Sequence, residues 1–394
     1  MHNHTSFLHK RCFSKWAIIA VSVICSLIVL SIHQETEQPK ISTTKEIRKF
    51  AFMKNHKCAS TTIENIIFRF AHKNKLNVVL PKSGNYLSTT ELFDHTSLNS
   101  THWRNVNFDI FSLHNRWNKK EVVTLLREHV LAFTIVRDPV QVFESMFHFL
   151  DPMFGQFYGA KNIHEMIRII NTSSSTNPTL SKRWMGMMGR NQMAWDMGLS
   201  PDIFDDEVIF KKEIERLDRE FDLVMVADRM EESLVLLKNL LNWPMQNVVH
   251  LNLNRRKPEK MSLLNADERK VLSDWLAADL QIFEHFSRRF DERVVEFNQK
   301  HLTMSTFLGG LFWSVNRMKH EKKLLEEANK QLYYACVLQE LGNEKLTGVF
   351  REFNNNIMGF VIDTKQDWCA FYAMSEPAYL KIFQDLLLSR SINA

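Results

Sequence analysis

The chain has 394 residues, of which 45% are hydrophobic and 24% charged, with only 11 glycines and 9 prolines. That composition excludes collagen-like, low-complexity and wholly disordered proteins, and the length allows one large domain or two to three smaller ones. Fifty basic and 45 acidic residues give a formal charge of +5, of which +3 belongs to residues 1–15. The remainder is nearly balanced, so nucleic acid is not expected as a partner.

An uncharged apolar run lies near the N-terminus. Residues 16–32 (WAIIAVSVICSLIVLSI) follow three basic residues, and as a helix they would span roughly 25 Å, the short end for a bilayer. We expect a signal anchor with a cytosolic tail at 1–15, followed by a polar stem at 33–48 and a lumenal body. A cleaved signal peptide is the alternative, but the run is long for a signal core and lacks a clear cleavage site.

Three of the five cysteines lie beyond the predicted span, namely Cys58, Cys336 and Cys369. In an oxidising lumen an odd number of cysteines leaves one thiol free or paired with another chain. A homodimer is therefore a possible assembly. Cys336 and Cys369 are near each other late in the chain and form the candidate disulfide. Asn99 and Asn171 begin N-x-S/T triplets in polar, turn-like stretches and are predicted glycosylation acceptors.

The first predicted strand–helix unit begins at residue 50. Phe50–Met53 is a short apolar run typical of a buried strand. Ile63, Ile66, Ile67 and Phe70 then recur at the spacing of an amphipathic helix. Ser60, Thr61 and Thr62 stand where hydroxyls cap the free amides of a helix start.

Two further units repeat this arrangement. VLAFTIV at 130–136 precedes Arg137-Asp138-Pro139 and a helical pattern, and FDLVMVA at 221–227 precedes another helical pattern. Near-continuous apolar strands that alternate with helices predict a parallel sheet covered on both faces. Residues 81–105 and 151–180 resemble long loops or insertions. From about residue 262 the pattern is mostly helical, with a strong exposed helix at 320–334.

The first chemical motif is KNHKCASTT at 54–62, between the first strand and its helix. A strand–loop–helix junction offers free amides and a helix dipole to an anion, and this one adds two lysines, a histidine and three hydroxyls. The glycines of a Walker A loop are missing, so the loop suits a terminal 5′-phosphate better than a triphosphate with magnesium. The alternative is an ordinary helix cap preceded by solvated lysines.

The second motif is Arg137 at the end of its strand, with Ser145 eight residues later on the next helix. An arginine at the carboxyl edge of a parallel strand faces the crevice where ligands bind in open α/β sheets. Its planar fork suits a second phosphate. The alternative is a surface ion pair with Asp138.

The third motif is FDIFSLHNR at 108–116, a short apolar strand that ends in His114 with Arg116 two residues on. A lone histidine is more often structural than catalytic. His114 becomes a candidate only because it lies between the other two motifs in the chain.

Several stretches, MKNHKCASTTIENIIFRF (53–70), VRDPVQVFESMFHF (136–149) and RNQMAWDMGL (190–199), resemble the Golgi galactose-3-O-sulfotransferases. The resemblance covers roughly residues 50–300, with gaps. It implies a P-loop-like sulfotransferase fold with a catalytic domain at 49–300 and a helical C-terminal extension at 301–394. It also implies a single-pass type II protein of the Golgi membrane.

The resemblance implies 3′-phosphoadenosine 5′-phosphosulfate (PAPS) as the sulfuryl donor and no metal. The residues expected to hold the 5′-phosphosulfate are Lys54, Lys57, Ser60, Thr61 and Thr62. Arg137 and Ser145 are expected to hold the 3′-phosphate. The general base would be a histidine, because histidine titrates near neutrality. His114 is favoured and His56 stays open, while Lys54 and Lys57 would stabilise the leaving group.

The expected acceptor is the 3-hydroxyl of terminal galactose on a glycolipid or glycoprotein glycan. Asn55 and Cys58 depart from the family's usual residues. One alternative is a glycosaminoglycan 2-O-sulfotransferase with a basic track from Arg255-Arg256-Lys257 and Lys182-Arg183. Others are a glycan-binding relative with a decayed site and, less favoured, a nucleotide kinase.

Overall fold

A computed structural model of the chain describes residues 45–98, 106–128, 130–149, 160–173, 188–253, 255–258, 261–305, 316–341 and 357–392. The predicted membrane span, most of the predicted stem and the sequon at Asn99 lie outside these residues. Among the residues described, no helix combines the length and the apolar character that crossing a bilayer requires. The N-terminal anchor stays a prediction.

A sheet of four strands carries the fold, and every neighbouring pair in it is parallel. The strands are β1 (Phe50–Met53), β2 (Ile110–Phe111), β3 (Leu131–Val136) and β4 (Leu223–Val226). They lie in the order β2-β1-β3-β4. This confirms the predicted α/β class, and each strand falls within an apolar run recognised in the sequence.

The sheet is accompanied by helices throughout the described chain. They are α1 (Ser60–Asn74), α2 (Lys119–Leu126), α3 (Pro139–Phe149), α4 (Ile163–Ser173), α5 (Gln192–Asp196), α6 (Glu207–Glu220), α7 (Met230–Leu240), α8 (Ala266–Trp275), α9 (Ala277–Ser305), α10 (Arg317–Cys336), α11 (Asp367–Ala373) and α12 (Glu376–Ile392). Helix α2 packs against β2, and α7 and α9 pack against β4. At the start of α3, the Asp138 side chain accepts a hydrogen bond from the amide of Gln141 (2.9 Å) and so caps the helix.

Aromatic residues fill the core along the sheet. Phe133 on β3 packs against both Phe50 and Phe52 of β1, with ring centroids 5.5 Å apart in each pair. A second apolar cluster joins α3, α4 and α8 through side chains such as Phe143, Ile167 and Trp275. Burying each such large side chain contributes about 1.5–3 kcal/mol, so these contacts hold α3 at a fixed place beside the end of β3.

One predicted loop is partly a helix. Residues 151–180 were expected to be irregular, yet α4 occupies Ile163–Ser173. Its residues Ile163, Met166, Ile167 and Ile170 are buried at the i, i+3, i+4 and i+7 spacing of an amphipathic helix. That periodicity is present in the sequence, but the polar residues that follow it mask it. Asn171 is exposed in the last turn of this helix rather than in a turn.

The C-terminal part is mostly helical, as predicted, and also contains an antiparallel hairpin. Its strands are β5 (Val337–Leu341) and β6 (Gly359–Ile362). Cys336, at the end of α10, forms a disulfide with Cys369 on α11, and Cys58 is a buried free thiol. This is the pairing that the sequence favoured. Helices α11 and α12 then pack against α1.

The strand order identifies the edge where a ligand would bind. The chain leaves β1 toward β2 on one side and returns to β3 on the other, so the strand order reverses at β1. In open parallel sheets, the crevice at the carboxyl ends of strands beside such a switch point is the usual ligand site. The loop after β1, His114 after β2 and Arg137 after β3 all lie at that edge.

Candidate active site

The loop from Lys54 to Ala59 joins β1 to α1 without a glycine. Lys57 and Ala59 adopt left-handed backbone angles, with φ of 59° and 57°, a conformation that non-glycine residues adopt at a cost. Leu113 and Asn191, which flank other parts of the site, also have positive φ values, 87° and 52°. Strained backbone of this kind clusters at functional sites in proteins.

The predicted capping hydroxyls do not cap α1. Ala59 is the N-cap residue and no side chain accepts from the first helical amides. The Ser60 hydroxyl instead donates to the carbonyl of Asn55 (2.7 Å). The Thr62 hydroxyl is buried without a hydrogen-bond partner among the described residues. The Thr62 amide donates to the carbonyl of Ala59 (3.1 Å), and the start of α1 still presents the positive end of its helix dipole to an anion.

Asn55 and Cys58, the two departures from the family pattern, are buried structural residues. The Asn55 amide donates to the carbonyl of Ile135 (2.9 Å) and so ties the loop to β3. The Cys58 thiol donates to the carbonyl of His56 (3.3 Å). Burial raises the pKa of Cys58 well above its usual range. Both side chains stabilise the loop's shape.

Three cations converge beside the loop. The Arg137 guanidinium donates to the carbonyl of Lys57 (3.1 Å) and is held by Gln141 (2.8 Å). Burial, followed by the charges of Arg256 and Arg137, lowers the pKa of Lys57 to about 7. Among the described residues, no carboxylate lies within ion-pair distance of Lys57. A buried ammonium beside two guanidinium groups favours an anionic ligand.

Arg256 belongs to this cluster and not to a surface track. Its guanidinium donates to the carboxylate of Glu144 on α3 (2.7 Å to Oε1), next to the half-buried Ser145. Arg255 is exposed, Arg256 half-buried and Lys257 fully buried, while Lys182 and Arg183 lie outside the described residues. The basic stretch at 255–257 therefore does not offer the continuous exposed cations that a glycosaminoglycan requires.

Two histidines stack beside the loop. The rings of His56 and His114 have centroids 3.9 Å apart with an interplanar angle of 16°, and the Tyr86 ring stacks on His114 at 5.0 Å. Burial, then the charges of His56 and Lys54, lower the pKa of His114 well below its usual range, so this ring is neutral. Its Nδ1 atom is buried and has no hydrogen-bond partner among the described residues.

His56 is held at both ring nitrogens. Its Nδ1 lies 2.8 Å from a carboxylate oxygen of Asp196, and its Nε2 lies 3.0 Å from the hydroxyl of Tyr86. Gln192 donates to the other oxygen of Asp196 (2.8 Å). Because a carboxylate oxygen accepts, the Asp196 contact favours hydrogen on Nδ1 of His56, and in a neutral ring this leaves the lone pair on Nε2.

The short helix α5 places Asp196 and Gln192 on one face, four residues apart. Asp279, at the start of α9, accepts from the amides of Met193 (3.1 Å) and Ala194 (2.8 Å) at the beginning of α5. Gly198, just after α5, has φ of 85°, and a Cβ there would lie 2.2 Å from the carbonyl of Trp117. The motif RNQMAWDMG thus fixes a carboxylate against His56.

Lys54 is the most enclosed of the predicted donor-binding residues. Its Nζ contacts a carboxylate oxygen of Glu64 on α1 (2.5 Å) and one of Glu376 on α12 (2.6 Å). Burial lowers the pKa of Lys54, but the two carboxylates outweigh this effect and the net shift is upward. Lys54 is therefore charged.

The structure brings most of the predicted site residues to one edge of the sheet. Direct contacts or electrostatic effects link Lys54, Lys57, His56, His114 and Arg137, and Ser60, Thr61 and Thr62 begin the adjoining helix. Ser145 lies on α3 beside Glu144. Sequence reasoning assigned no role to four residues in contact with these, namely Tyr86, Asp196, Glu64 and Glu376. Of these, Glu64 and Asp196 lay in stretches singled out in the sequence, at 53–70 and 190–199.

Comparison with known proteins agrees with this arrangement. Residues 21–345 match the family model described as galactose-3-O-sulfotransferase. The chain belongs to this family. It is 28% identical over 339 residues to galactose-3-O-sulfotransferase 2 of Sus scrofa, covering 83% of this chain and 79% of that protein. Family membership makes the chain a sulfotransferase of carbohydrate.

Two other relatives are matched over less of their own length. Galactose-3-O-sulfotransferase 2 of Homo sapiens is 30% identical over 243 residues, which cover 61% of this chain and 60% of that protein. Galactosylceramide sulfotransferase of Bos taurus is 27% identical over 293 residues, covering 74% of this chain and 64% of the relative. These two names differ in the acceptor they specify, so kinship in this galactose-3-O-sulfotransferase family leaves the acceptor of the chain open.

Proposed function

We propose that this sulfotransferase moves the sulfuryl group of PAPS to the 3-hydroxyl of terminal galactose on a glycolipid or glycoprotein glycan. The observation that carries the donor assignment is the cluster of Lys57, Arg137 and Arg256 at the carboxyl edge of β1 and β3. A donor with phosphate groups at two separate positions supplies negative charge to Lys57 and Arg137, which form no ion pair among the described residues, whereas Arg256 already pairs with Glu144.

The donor residues divide into two groups in this proposal. Lys54, Lys57, Ser60, Thr61 and Thr62 would bind the 5′-phosphosulfate at the start of α1, where the helix dipole adds to the lysine charges. Arg137, Ser145 and Arg256 would bind the 3′-phosphate. Arg256 joins this group because its guanidinium donates to Glu144, the neighbour of Ser145 on α3.

We assign the general base to His56. In this proposal Asp196 accepts from Nδ1–H of His56, and the lone pair on Nε2, which now faces the Tyr86 hydroxyl at 3.0 Å, would accept the proton once an acceptor hydroxyl replaces that contact. The base takes the proton of the galactose 3-hydroxyl while the oxygen of that hydroxyl forms a bond to sulfur. At the same time the bond between sulfur and the 5′-phosphate oxygen breaks. Lys54 and Lys57 stabilise the charge that develops on the leaving phosphate. His114, favoured from the sequence, would act as a neutral stacking partner.

The proposed acceptor is inferred from the names of the relatives. The proposed location is inferred from the sequence pattern at the N-terminus. Galactose is common to the names of the relatives, in the form of galactose-3-O-sulfotransferase and galactosylceramide sulfotransferase. An N-terminal anchor in the Golgi membrane with a lumenal catalytic part would place the enzyme where such glycans mature. Both statements stay proposals.

Binding of adenosine 3′,5′-bisphosphate tests the donor site. In calorimetric titrations of the full-length chain we expect Arg256→Ala to weaken binding about tenfold or more, because a charge-assisted phosphate contact contributes roughly 1.5–3 kcal/mol. Arg255→Ala is the matched control, since Arg255 is exposed and pairs with Glu340. Equal losses for both arginines, or no binding by the unmodified chain, would contradict the assignment.

A further inference from the structure

A buried ion cluster connects the donor loop to the C-terminal end of the chain. Glu376, the first residue of α12, lies 322 residues from Lys54 in sequence, yet its carboxylate contacts the Lys54 ammonium at 2.6 Å. Glu64 contacts the same ammonium at 2.5 Å from α1. The side chains of Lys54, Glu64 and Glu376 are 2%, 1% and 12% exposed, so water screens these contacts only weakly.

The C-terminal helices are seated on α1 by contacts that fix the position of Glu376. The Asn65 amide donates to the carbonyls of Phe371 (3.0 Å) and Met374 (3.3 Å), on either side of the turn that leads into α12. Phe68 packs against Tyr379 and Phe383 of α12, with ring centroids 5.5 and 5.3 Å apart. Glu376 therefore approaches Lys54 from a rigid element.

The two carboxyl groups of the cluster differ in how readily they ionise. Burial and the neighbouring charge of Glu376 raise the pKa of Glu64 well above its usual range. Burial also acts to raise the pKa of Glu376, but the charge of Lys54 and hydrogen bonds prevail and lower it. Glu376 is therefore the more readily ionised of the two partners of the Lys54 ammonium.

The cluster lies beside the histidines. The charge of Lys54 helps to lower the pKa of His114. The charges of Lys54 and Glu376 also affect the pKa of Tyr86, in opposite directions. Lys54 directly follows the last residue of β1, so the sheet fixes where its backbone begins. The four-carbon side chain can nevertheless rotate, and the two carboxyl groups are what hold its end in one direction.

We propose that Glu376 is a positioning residue of the donor site, which acts by holding the ammonium of Lys54 in place. The C-terminal segment 357–392, which lies beyond the family match at 21–345, is then a working part of the enzyme. The proposal rests on the proposed function of Lys54 as a donor-binding and leaving-group residue. Misplacing such a group by about 1 Å costs on the order of 10² in rate.

The test is a mutant cycle between Lys54 and Glu376 in the full-length chain. We expect Glu376→Ala to lower kcat/KM by about 10- to 100-fold and Glu376→Gln, which keeps an acceptor oxygen, to lower it less. In the Lys54→Ala background, adding Glu376→Ala should change kcat/KM by no more than about twofold, because coupled residues are not additive. Asp385→Asn, an exposed carboxylate of the same helix, is the control and should retain activity.

A second readout does not depend on catalysis. The Lys54 amine should resist labelling by an acylating reagent in the unmodified chain and in Asp385→Asn, and should label faster in Glu376→Gln. The double variant should also melt at a higher temperature than Lys54→Ala, which leaves two buried carboxyl groups without their cation. If no variant shows sulfuryl transfer, the proposed function fails, while labelling and melting still report on the pairing.

Two results would overturn the proposal. One is a loss from Glu376→Ala that is equally large with and without Lys54, which would indicate a merely structural role for the helix. The other is unchanged Lys54 labelling and unchanged kcat/KM in both Glu376 variants, which would show that the carboxylate does not hold the ammonium.

Discussion

At the scale of single residues, the proposed role of Lys57 makes donor binding depend on pH. Its pKa of about 7 lies below the ordinary value of 10.5, because the side chain is buried beside Arg256 and Arg137. Between these two values the unfolded chain binds a proton that the folded chain does not, so Lys57 makes the folded state more stable as the pH rises through that window. A bound phosphate restores the charge and must therefore be accompanied by a proton.

We predict that binding of adenosine 3′,5′-bisphosphate at pH 8 takes up close to one proton, and that affinity falls by up to tenfold per pH unit above about 7. Calorimetry in buffers of different ionisation enthalpy measures the proton directly, at a pH where the phosphates are already ionised. Lys57→Met should abolish the uptake. Binding without proton uptake at pH 8 in the unmodified chain would mean that Lys57 is charged before the ligand arrives.

The assignment of His56 gives a second prediction. His56→Ala should lower kcat by about 10²- to 10⁴-fold while the affinity for adenosine 3′,5′-bisphosphate changes little, since a general base acts in the transition state. Asp196→Asn should lower kcat by about 10²-fold, because the carboxylate no longer fixes the tautomer of His56. Asp205→Asn, which alters an exposed carboxylate, should leave kcat unchanged.

His114→Ala distinguishes the two histidines. If His56 is the base, this variant should lose less kcat than His56→Ala, because it removes only the stacked ring. A larger loss for His114→Ala, measured under saturating donor and acceptor, would return the role of base to His114, as the sequence favoured.

At this scale, the sequence predicts functional residues when they are close together in the chain. Lys54, His56 and Lys57 follow a recognisable strand, so their convergence could be inferred from one stretch. The partners of these residues could not be inferred in this way. Tyr86 lies in a loop without periodicity, and Glu376 lies on a helix of ordinary composition. Such contacts depend on how distant elements pack, which a local pattern does not encode.

At the scale of elements, α5 depends on an external carboxylate for its position. Asp279 accepts two amide hydrogen bonds from the start of α5 and is 1% exposed. We predict that Asp279→Ala destabilises the protein by about 2–4 kcal/mol, because a buried acceptor with two donors is lost. Denaturant unfolding measures this cost.

The same variant should also lower kcat through Asp196. In the background of Asp196→Asn, the further loss of kcat on adding Asp279→Ala should be small, since both changes act on the orientation of His56. Independent and multiplicative losses of kcat would contradict the view that α9 orients the base through α5.

The disulfide gives a further prediction at this scale. Cys336 and Cys369 are 33 residues apart, a loop whose closure in the unfolded chain is worth about 3–4 kcal/mol in the chain-entropy model. Cys336→Ser with Cys369→Ser should lower the free energy of unfolding by about that amount, measured with denaturant. Unfolding that is insensitive to both the substitutions and a reducing agent would contradict a closed disulfide.

The elements themselves were largely predictable because their patterns are local. All four strands of the parallel sheet fall in apolar runs, and α10 (Arg317–Cys336) contains the predicted exposed helix. The sequence missed α4, where long polar surroundings obscure four apolar positions, and the β5–β6 hairpin, whose strands are separated by residues 342–358. Hairpin pairing across such a distance has no short-range turn signal.

At the scale of the whole molecule, the strand order β2-β1-β3-β4 assembles the site from segments far apart in the chain. The carboxyl ends of β1, β2 and β3 deliver the donor loop, His114 and Arg137 to one edge, and α5, α9 and α12 supply the carboxylates around them. This arrangement is what the proposed reaction requires, namely two anion sites and a base within one crevice.

The most direct test of the account is transfer itself. The purified full-length chain should move radiolabelled sulfate from PAPS to galactosylceramide, lactosylceramide or an N-acetyllactosamine oligosaccharide, and the label should be on the 3-hydroxyl of galactose. Desulfated heparan should not be labelled. Label on heparan alone, or bound adenosine 3′,5′-bisphosphate with no label on any galactoside, would contradict the central claim that this site sulfates galactose.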